Sequence, residues 1–144
     1  MNVWGKTRDV EDTSFGMSTL DDALAKRAQA QGRIAIPNPR PEKGSIYRAD
    51  NFEFAKVGVP ALYIGKNEHL LSRAADAPLR ADEFDLHDYH QVSDEVKPDW
   101  DLSGAVQDVQ LLFQVGYEVS NRDKYPEWKP GNEFKPQRDA MMRK

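Results

Sequence analysis

The sequence predicts an α/β fold, and three observations carry this prediction. A capped helical stripe between Ser18 and Gly32 leads into a short β-like run at the start of Arg33–Gly44. A compact apolar run, Ala61–Gly65, has turn residues on both sides, which is typical of a buried, parallel strand. A long amphipathic pattern then follows at Asp101–Asn121.

The composition excludes several classes of partner. The 144 residues suit one domain with one core, and a net charge of −4 gives no electrostatic reason to expect nucleic acid or an anionic membrane as partner. No apolar run approaches the ~20 residues of a membrane span. Met1–Gly16 lacks the basic and apolar segments of a signal peptide, so the chain as encoded is expected in the cytoplasm. Because there is no cysteine, a zinc ion would have to use His, Asp, Glu and water.

The first helix has both a start and a stop signal. Ser18 with Asp21 three residues later resembles a capping box, and Gly32 is a plausible end. The apolar stripe between them consists of Leu20, Ala23, Leu24 and Ala28. Three prolines in Arg33–Gly44 then predict a surface loop after the β-like run.

The middle of the chain is less regular. Phe52, Phe54 and Ala55 indicate a short helix, which Gly58 and Pro60 end. After the predicted strand at Ala61–Gly65, the stretch Glu68–Asp85 is polar and without a clean period. It predicts a long loop, or a loop with one helical turn.

The strongest periodic signal is Asp101–Asn121. Apolar residues at steps of three and four predict a helix of about five turns with one packed face, capped by Asp99 or Asp101. The residues predicted to form that face are Leu102, Ala105, Val106, Val109, Leu112, Phe113, Gly116 and Val119. The proline-rich tail that follows is expected to run extended, with Trp128 and Phe134 as anchors.

A polar cluster, "HDYHQVSDE", runs from His87 to Glu95. The His90 imidazole is a candidate zinc ligand at neutral pH, and the Tyr89 phenol can donate a hydrogen bond to a developing oxyanion. Asp94 is a candidate to orient a histidine. These residues taken alone also suit an ordinary solvated loop, which their composition favours.

Two other histidine arrangements stay open. His87 and His90 are three residues apart and could form a two-histidine clip on a helical turn, although the residues between them carry no other ligand signature. His69, His87 and His90 could together form a single-metal site, but no ordered ligand pattern supports it.

Arg48 and Asp50 form a second polar pair. Two residues apart in an extended segment, they would share a face. A local ion pair is the favoured interpretation. Lining a substrate pocket, with Arg48 facing a carboxylate, is the alternative.

Five stretches of the chain form a recognisable set. In chain order they are Trp4–Val10, Tyr47–Leu62, Tyr89–Glu95, Trp100–Phe113 and Trp128–Lys135. The two most specific are "YRADNFEFAKVGVPAL" and "YHQVSDE", and their combination is far less expected by chance than either alone. Taken together, the stretches resemble the C-terminal portion of the M28 family of zinc-dependent aminopeptidases.

The resemblance implies the C-terminal part of an α/β/α sandwich around a mostly parallel sheet, with two zinc ions at the sheet's C-terminal edge. It implies hydrolysis of N-terminal peptide bonds through a metal-activated water. By position His90 resembles the last zinc ligand and Tyr89 the oxyanion-stabilising tyrosine. Asp50, Arg48 and Asp94 match positions in or behind the substrate pocket, although Ala49 and Asn51 replace the family's serine and histidine beside Asp50.

The family's other ligands and its general base lie upstream of the stretch at Trp4. The chain is therefore expected to be an N-terminally truncated peptidase, with a partial M28 domain at 1–125 and an extended tail at 126–144 packed on it. Alone it is expected to be inactive and to bind zinc at most partially. The expected partners are a peptide substrate in the complete enzyme, and a second copy or an N-terminal half.

A non-catalytic interaction module, pairing with another chain through an exposed sheet edge, is the alternative function. Intact members of the family are often periplasmic or secreted.

Overall fold

The structure, a computed structural model, describes residues 2–65, 69–71 and 77–143, without the side chains of 77–79. It contains two strands and five α-helices within those residues, together with 3₁₀ turns at Pro41–Lys43 and Ser45–Arg48. In chain order the elements are β1 (Asp9–Asp12), α1 (Thr19–Ala30), β2 (Ile34–Pro37), α2 (Asn51–Lys56), α3 (Ala77–His87), α4 (Ser103–Ser120) and α5 (Lys135–Met142). This mixture of helices and a parallel strand pair is consistent with the predicted α/β class.

β1, α1 and β2 form a βαβ unit. The strands pair in parallel, with Asp9 opposite Ile34. The Ser18 hydroxyl accepts a hydrogen bond from the Leu20 N–H (3.1 Å), and the Ser18 N–H donates to the Asp21 carboxylate (2.9 Å). This is the predicted capping box, which fixes where α1 begins. The predicted stripe of α1 is also confirmed, because all four of its residues are buried.

The segment Ala61–Gly65 does not form the predicted parallel strand. Ile64 makes a single antiparallel bridge with Asp12, and the Gly65 N–H donates to the Glu11 carbonyl (2.9 Å). Farther along, the Arg8 N–H donates to the His69 carbonyl (2.8 Å). The chain therefore passes the free side of β1 in the opposite direction, and apolar content alone could not reveal that direction.

The long helix α4 packs on α1 through a different face from the one predicted. The main core cluster contains Val10, Ala23, Leu24, Ala28, Leu111 and Val115. Of the predicted face only Ala105 is buried and Val119 half-buried, whereas Val106, Val109 and Phe113 are exposed. The predicted cap is present in part, since the Asp101 carboxylate accepts from the Ser103 N–H (2.9 Å). The periodicity predicted the wrong packed face because apolar residues occupy most of the circumference of α4.

Helices occupy two segments that were predicted to be a loop and an extended tail. α3 occupies Ala77–His87, where a loop was predicted; Glu68 and residues 72–76 of that stretch lie outside the described part of the chain. In the tail, Lys135–Met142 forms α5 instead of running extended. Trp128 and Phe134 are buried, and the Trp128 indole N–H donates to the Gly58 carbonyl (3.1 Å). The domain boundary at residue 125 stays a prediction.

A buried ion pair joins α4 to the βαβ unit. The Arg33 guanidinium lies 2.8 Å from the Asp108 carboxylate, and both side chains are almost fully buried. The same guanidinium donates to the Asp9 carbonyl (2.7 Å) and the Thr7 hydroxyl (3.0 Å). One side chain thus connects the start of β1, the start of β2 and the second turn of α4.

None of the helices in the described ranges combines the length and the apolar character needed to cross a membrane.

Loss of the Asp108 carboxylate should destabilise the chain strongly, because it leaves a buried guanidinium without its charged partner. We expect Asp108→Ala to lower the free energy of unfolding by about 3–5 kcal/mol. Asp123→Ala, at an exposed acidic position, is the control and should change it by less than about 0.5 kcal/mol. Urea unfolding followed by circular dichroism measures both variants. Equal stabilities for the two would contradict the central role of the pair.

Candidate functional site

Tyr89 and His90 lie on a tight turn directly after α3. The Asp88 and Tyr89 N–H groups both donate to the Phe84 carbonyl (2.9 Å each), which closes the end of the helix. His90 then takes a φ of 62°, and among the described residues it is the one non-glycine with a positive φ. Histidine tolerates this left-handed conformation better than β-branched residues do. The turn directs the chain away from α3 and leaves both side chains exposed.

The two rings are stacked. Their centroids are 3.9 Å apart with an interplanar angle of 23°. The Tyr89 ring also lies 6.5 Å from the Phe84 ring, and the side chain is 52% exposed. Neither the phenol nor the imidazole makes a hydrogen bond to another described residue. Both therefore present polar atoms that are free to meet a ligand.

Asp94 contacts His90 through the main chain. Its carboxylate accepts a hydrogen bond from the His90 N–H (3.2 Å). The sequence predicted that Asp94 orients a histidine ring, and this contact acts instead on the backbone of the turn. By holding the left-handed backbone of His90 in place, Asp94 fixes the position of the Cβ from which the His90 side chain extends.

Arg48 and Asp50 lie elsewhere in the chain's structure. Arg48 ends a 3₁₀ turn and Asp50 is the helical residue before α2, so the two do not share the face of an extended segment as predicted. Both are exposed, and in the part of the chain that the structure describes they form no ion pair with each other. No hydrogen bond or ion pair joins either of them to Tyr89, His90 or Asp94 among these residues. Their assignment to a substrate pocket stays a prediction.

The three histidines are not gathered at one point. His87 lies 3.4 Å from Glu83 one turn earlier on α3, and His69 lies 3.0 Å from the Asp9 carboxylate. Over the ranges 2–65, 69–71 and 77–143, no group of three or more His, Asp or Glu residues is arranged to hold a metal ion. The described residues supply one exposed imidazole at Tyr89–Asp94, so by themselves they do not fit a two-zinc centre, which needs about three protein ligands per metal.

An aromatic groove adjoins this turn and was missed by the sequence analysis. The rings of Trp4 and Trp100 lie 6.3 Å and 5.7 Å from the Phe84 ring, in edge-to-face contacts. The Arg80 guanidinium lies 5.4 Å over the Trp4 ring and also pairs with Asp99. These residues line a cavity of about 330 Å³. The cluster holds α3, and through Phe84 it sets the position of Tyr89. The two tryptophans are the sequence signal for this groove. Because they are 96 positions apart, the sequence alone does not reveal that they lie close together.

Residues 1–114 match the family model described as "Peptidase family M28". The chain belongs to this family. The match includes Tyr89 and His90 and ends within α4, so it confirms the recognised resemblance and implies a peptidase-related, hydrolytic function. M28 peptidases are generally zinc-dependent. No curated protein and no solved structure matches the chain significantly.

The M28 chain also contains a buried carboxyl group at the end of β1. Asp12 is fully buried, and its Oδ1 accepts hydrogen bonds from the Ser14 N–H (2.8 Å) and hydroxyl (2.7 Å). Its Oδ2 has no hydrogen-bond partner among the described residues. Burial raises the pKa of Asp12 from 3.8 to about 6, against the opposing effect of the Ser14 hydrogen bonds. The carboxyl ends of parallel strands are where α/β sheets place ligands, but here this position is sealed from solvent.

The raised pKa of Asp12 makes stability depend on pH. Because the folded pKa exceeds the unfolded one, the contribution of Asp12 to stability is greatest below about pH 4 and is lost as the pH rises through about 6. We expect Asp12→Asn, which cannot ionise, to gain about 2–3 kcal/mol relative to the wild type between pH 4 and pH 8. Asp123→Asn should show no such gain. Chemical unfolding at the two pH values checks this, and parallel pH profiles for wild type and Asp12→Asn would disprove it.

Proposed function

We propose that this chain belongs to a zinc-dependent exopeptidase that hydrolyses N-terminal peptide bonds. In this proposal Tyr89 stabilises the oxyanion and His90 is a zinc ligand. The observation that carries it is the M28 match over 1–114, which contains the specific stretch "YHQVSDE". The sandwich architecture belongs to the same proposal.

The geometry of Tyr89 supports its role. An oxyanion is stabilised by a donor that is already positioned and has no competing partner. The Tyr89 phenol has no hydrogen bond to a described residue, and its ring stacks on the His90 ring and lies 6.5 Å from the Phe84 ring. The O–H is thus available while the ring is restrained, so little reorganisation is needed when negative charge develops.

His90 has the properties of a ligand in an incomplete centre. Its imidazole is exposed, and its backbone is restrained by Asp94. One imidazole cannot hold a zinc pair. We therefore propose that the other ligands and the general base come from outside the described residues, either from further chain or from a partner, and no reaction step is assigned to these 144 residues alone. Arg48 and Asp50 are proposed to line the substrate pocket of the completed site.

A non-catalytic interaction module is the second candidate. The proposed surface is the outer edge of β2, which is unpaired among the described strands and carries an Ile34 that is 69% exposed. This edge is weak as a pairing surface, because β2 is four residues long and ends in Pro37, which lacks an N–H. The edge alone gives this candidate limited support.

Zinc binding tests the role of His90. We expect the purified chain to bind zinc weakly, and His90→Ala to weaken that binding at least about 10-fold, because a ligand is lost. His87→Ala, which removes an equally exposed histidine three residues away, is the matched control and should bind as the wild type does. Competition with a chromophoric chelator measures all three. Equal affinities for wild type and His90→Ala would remove His90 from the metal site.

Hydrolysis of amino-acyl p-nitroanilides with added zinc tests the chain's activity. No zinc-dependent turnover is expected from the chain alone, because the described residues of the candidate site supply one zinc-ligand histidine, His90, and no positioned base. A clear rate that Tyr89→Phe or His90→Ala abolishes would show that the site is complete within the chain. That result would contradict the proposal of missing ligands while supporting the assigned roles.

A further inference from the structure

The exposed face of α4 has the character of a buried surface. Six large apolar side chains, five on this face and one at the N-cap Leu102, are exposed, Val109 by 59% and Phe113 by 65%. They form a continuous row along the helix, which we call the α4 row. Its members are Leu102, Val106, Val109, Leu112, Phe113 and Tyr117.

The α4 row is separate from the face that packs on α1. At about 3.6 residues per turn, its centre lies roughly 165° around the helix axis from the buried residues Leu111 and Val115. A helix that is apolar on nearly all sides is normally buried on nearly all sides. Since α1 and β1 cover only one side of α4, the other side lacks a cover among the described residues.

The row also lacks charge. Between Ser103 and Tyr117 the helix contains one ionisable carboxyl group, Asp108, and that group is buried against Arg33. The exposed polar neighbours of the row are the neutral Gln110 and Gln114. Gly116 adds an open position, where an added Cβ would meet nothing within 4 Å. A surface with no charge can face its own copy without like-charge repulsion, and a small residue allows the two backbones to approach.

We infer that the α4 row is the interface of a homodimer, in which the α4 helices of two copies pack antiparallel across a two-fold axis. Such an interface is self-complementary, because each copy contributes the same patch. Antiparallel packing also opposes the two helix dipoles. Scaled by typical side-chain areas, the exposed fractions correspond to roughly 600 Å² per chain, close to the ~800 Å² per partner of a standard interface. This surface carries six exposed large apolar side chains, whereas β2 carries one, Ile34.

Sedimentation of the full chain from about 1 to 200 μM tests the inference. We expect a concentration-dependent dimer for the wild type. The double variant Val109→Asp, Phe113→Asp should weaken dimerisation at least about 100-fold, because it places four carboxylates in an apolar contact. Both positions are exposed in the single chain, so the helical circular dichroism signal should not change. Val92→Asp is the matched control: this valine is 98% exposed but lies outside the row, and its variant should dimerise as the wild type does.

The absence of cysteine from the sequence allows a second, positional test. Val109 lies near the middle of the row, so an antiparallel pair brings the two copies of this residue together. We expect Val109→Cys to form a disulfide-linked dimer on mild oxidation, and Val92→Cys to remain unlinked. A wild type that is monomeric at all concentrations would overturn the inference. So would a dimer that persists in the double variant, as pairing through the β2 edge would produce.

Discussion

The architecture of the described residues depends on the contacts of one buried group, the Arg33 guanidinium. From its position directly before β2, the guanidinium donates to the start of β1 and pairs with Asp108 in the second turn of α4. Both ions are buried, so the pair is costly to form and more costly to break. We expect its value to lie in specificity, since it favours the face of α4 that carries Asp108 as the one turned toward the sheet. A helix with apolar residues on most sides has no such preference from hydrophobicity alone.

The strand β1 is unusual because its carboxylates provide much of its packing. Asp9, Glu11 and Asp12 are all buried in a strand of four residues. Asp9 accepts from the His69 N–H (3.0 Å), and the Glu11 side chain fills the space beside Gly65. The segment antiparallel to β1 is therefore positioned largely by polar contacts at β1. Burying a carboxylate costs little free energy only when its oxygens are paired. The Oδ2 of Asp12, which has no hydrogen-bond partner among the described residues, shows where this pairing is incomplete.

These two features explain which elements the sequence could predict. α1 was predictable because its capping box and its stripe are local, between Ser18 and Ala28. The direction of Ala61–Gly65 and the packed face of α4 were not, since both depend on contacts with β1 or with Arg33 far away in the sequence. At the candidate site, the neighbours Tyr89 and His90 and the nearby Asp94 lie together as their spacing suggested. Grouping Arg48 and Asp50 with this site requires a contact between residues far apart in the sequence. Among the described residues, no hydrogen bond or ion pair joins either of them to the site.

The candidate site and the uncovered row of α4 are mechanically connected. Tyr89 is held by Phe84, and Phe84 packs on Trp100, two residues before Leu102 and the α4 row. Trp4 completes this connection, since it contacts Phe84 and forms a bridge with Asp101 at the start of α4. A partner that covers the row would therefore restrain the aromatic cluster, which in turn sets the position of the Tyr89 ring. Binding at the α4 row and order at Tyr89 are thus expected to be coupled through the packed rings of Trp100 and Phe84.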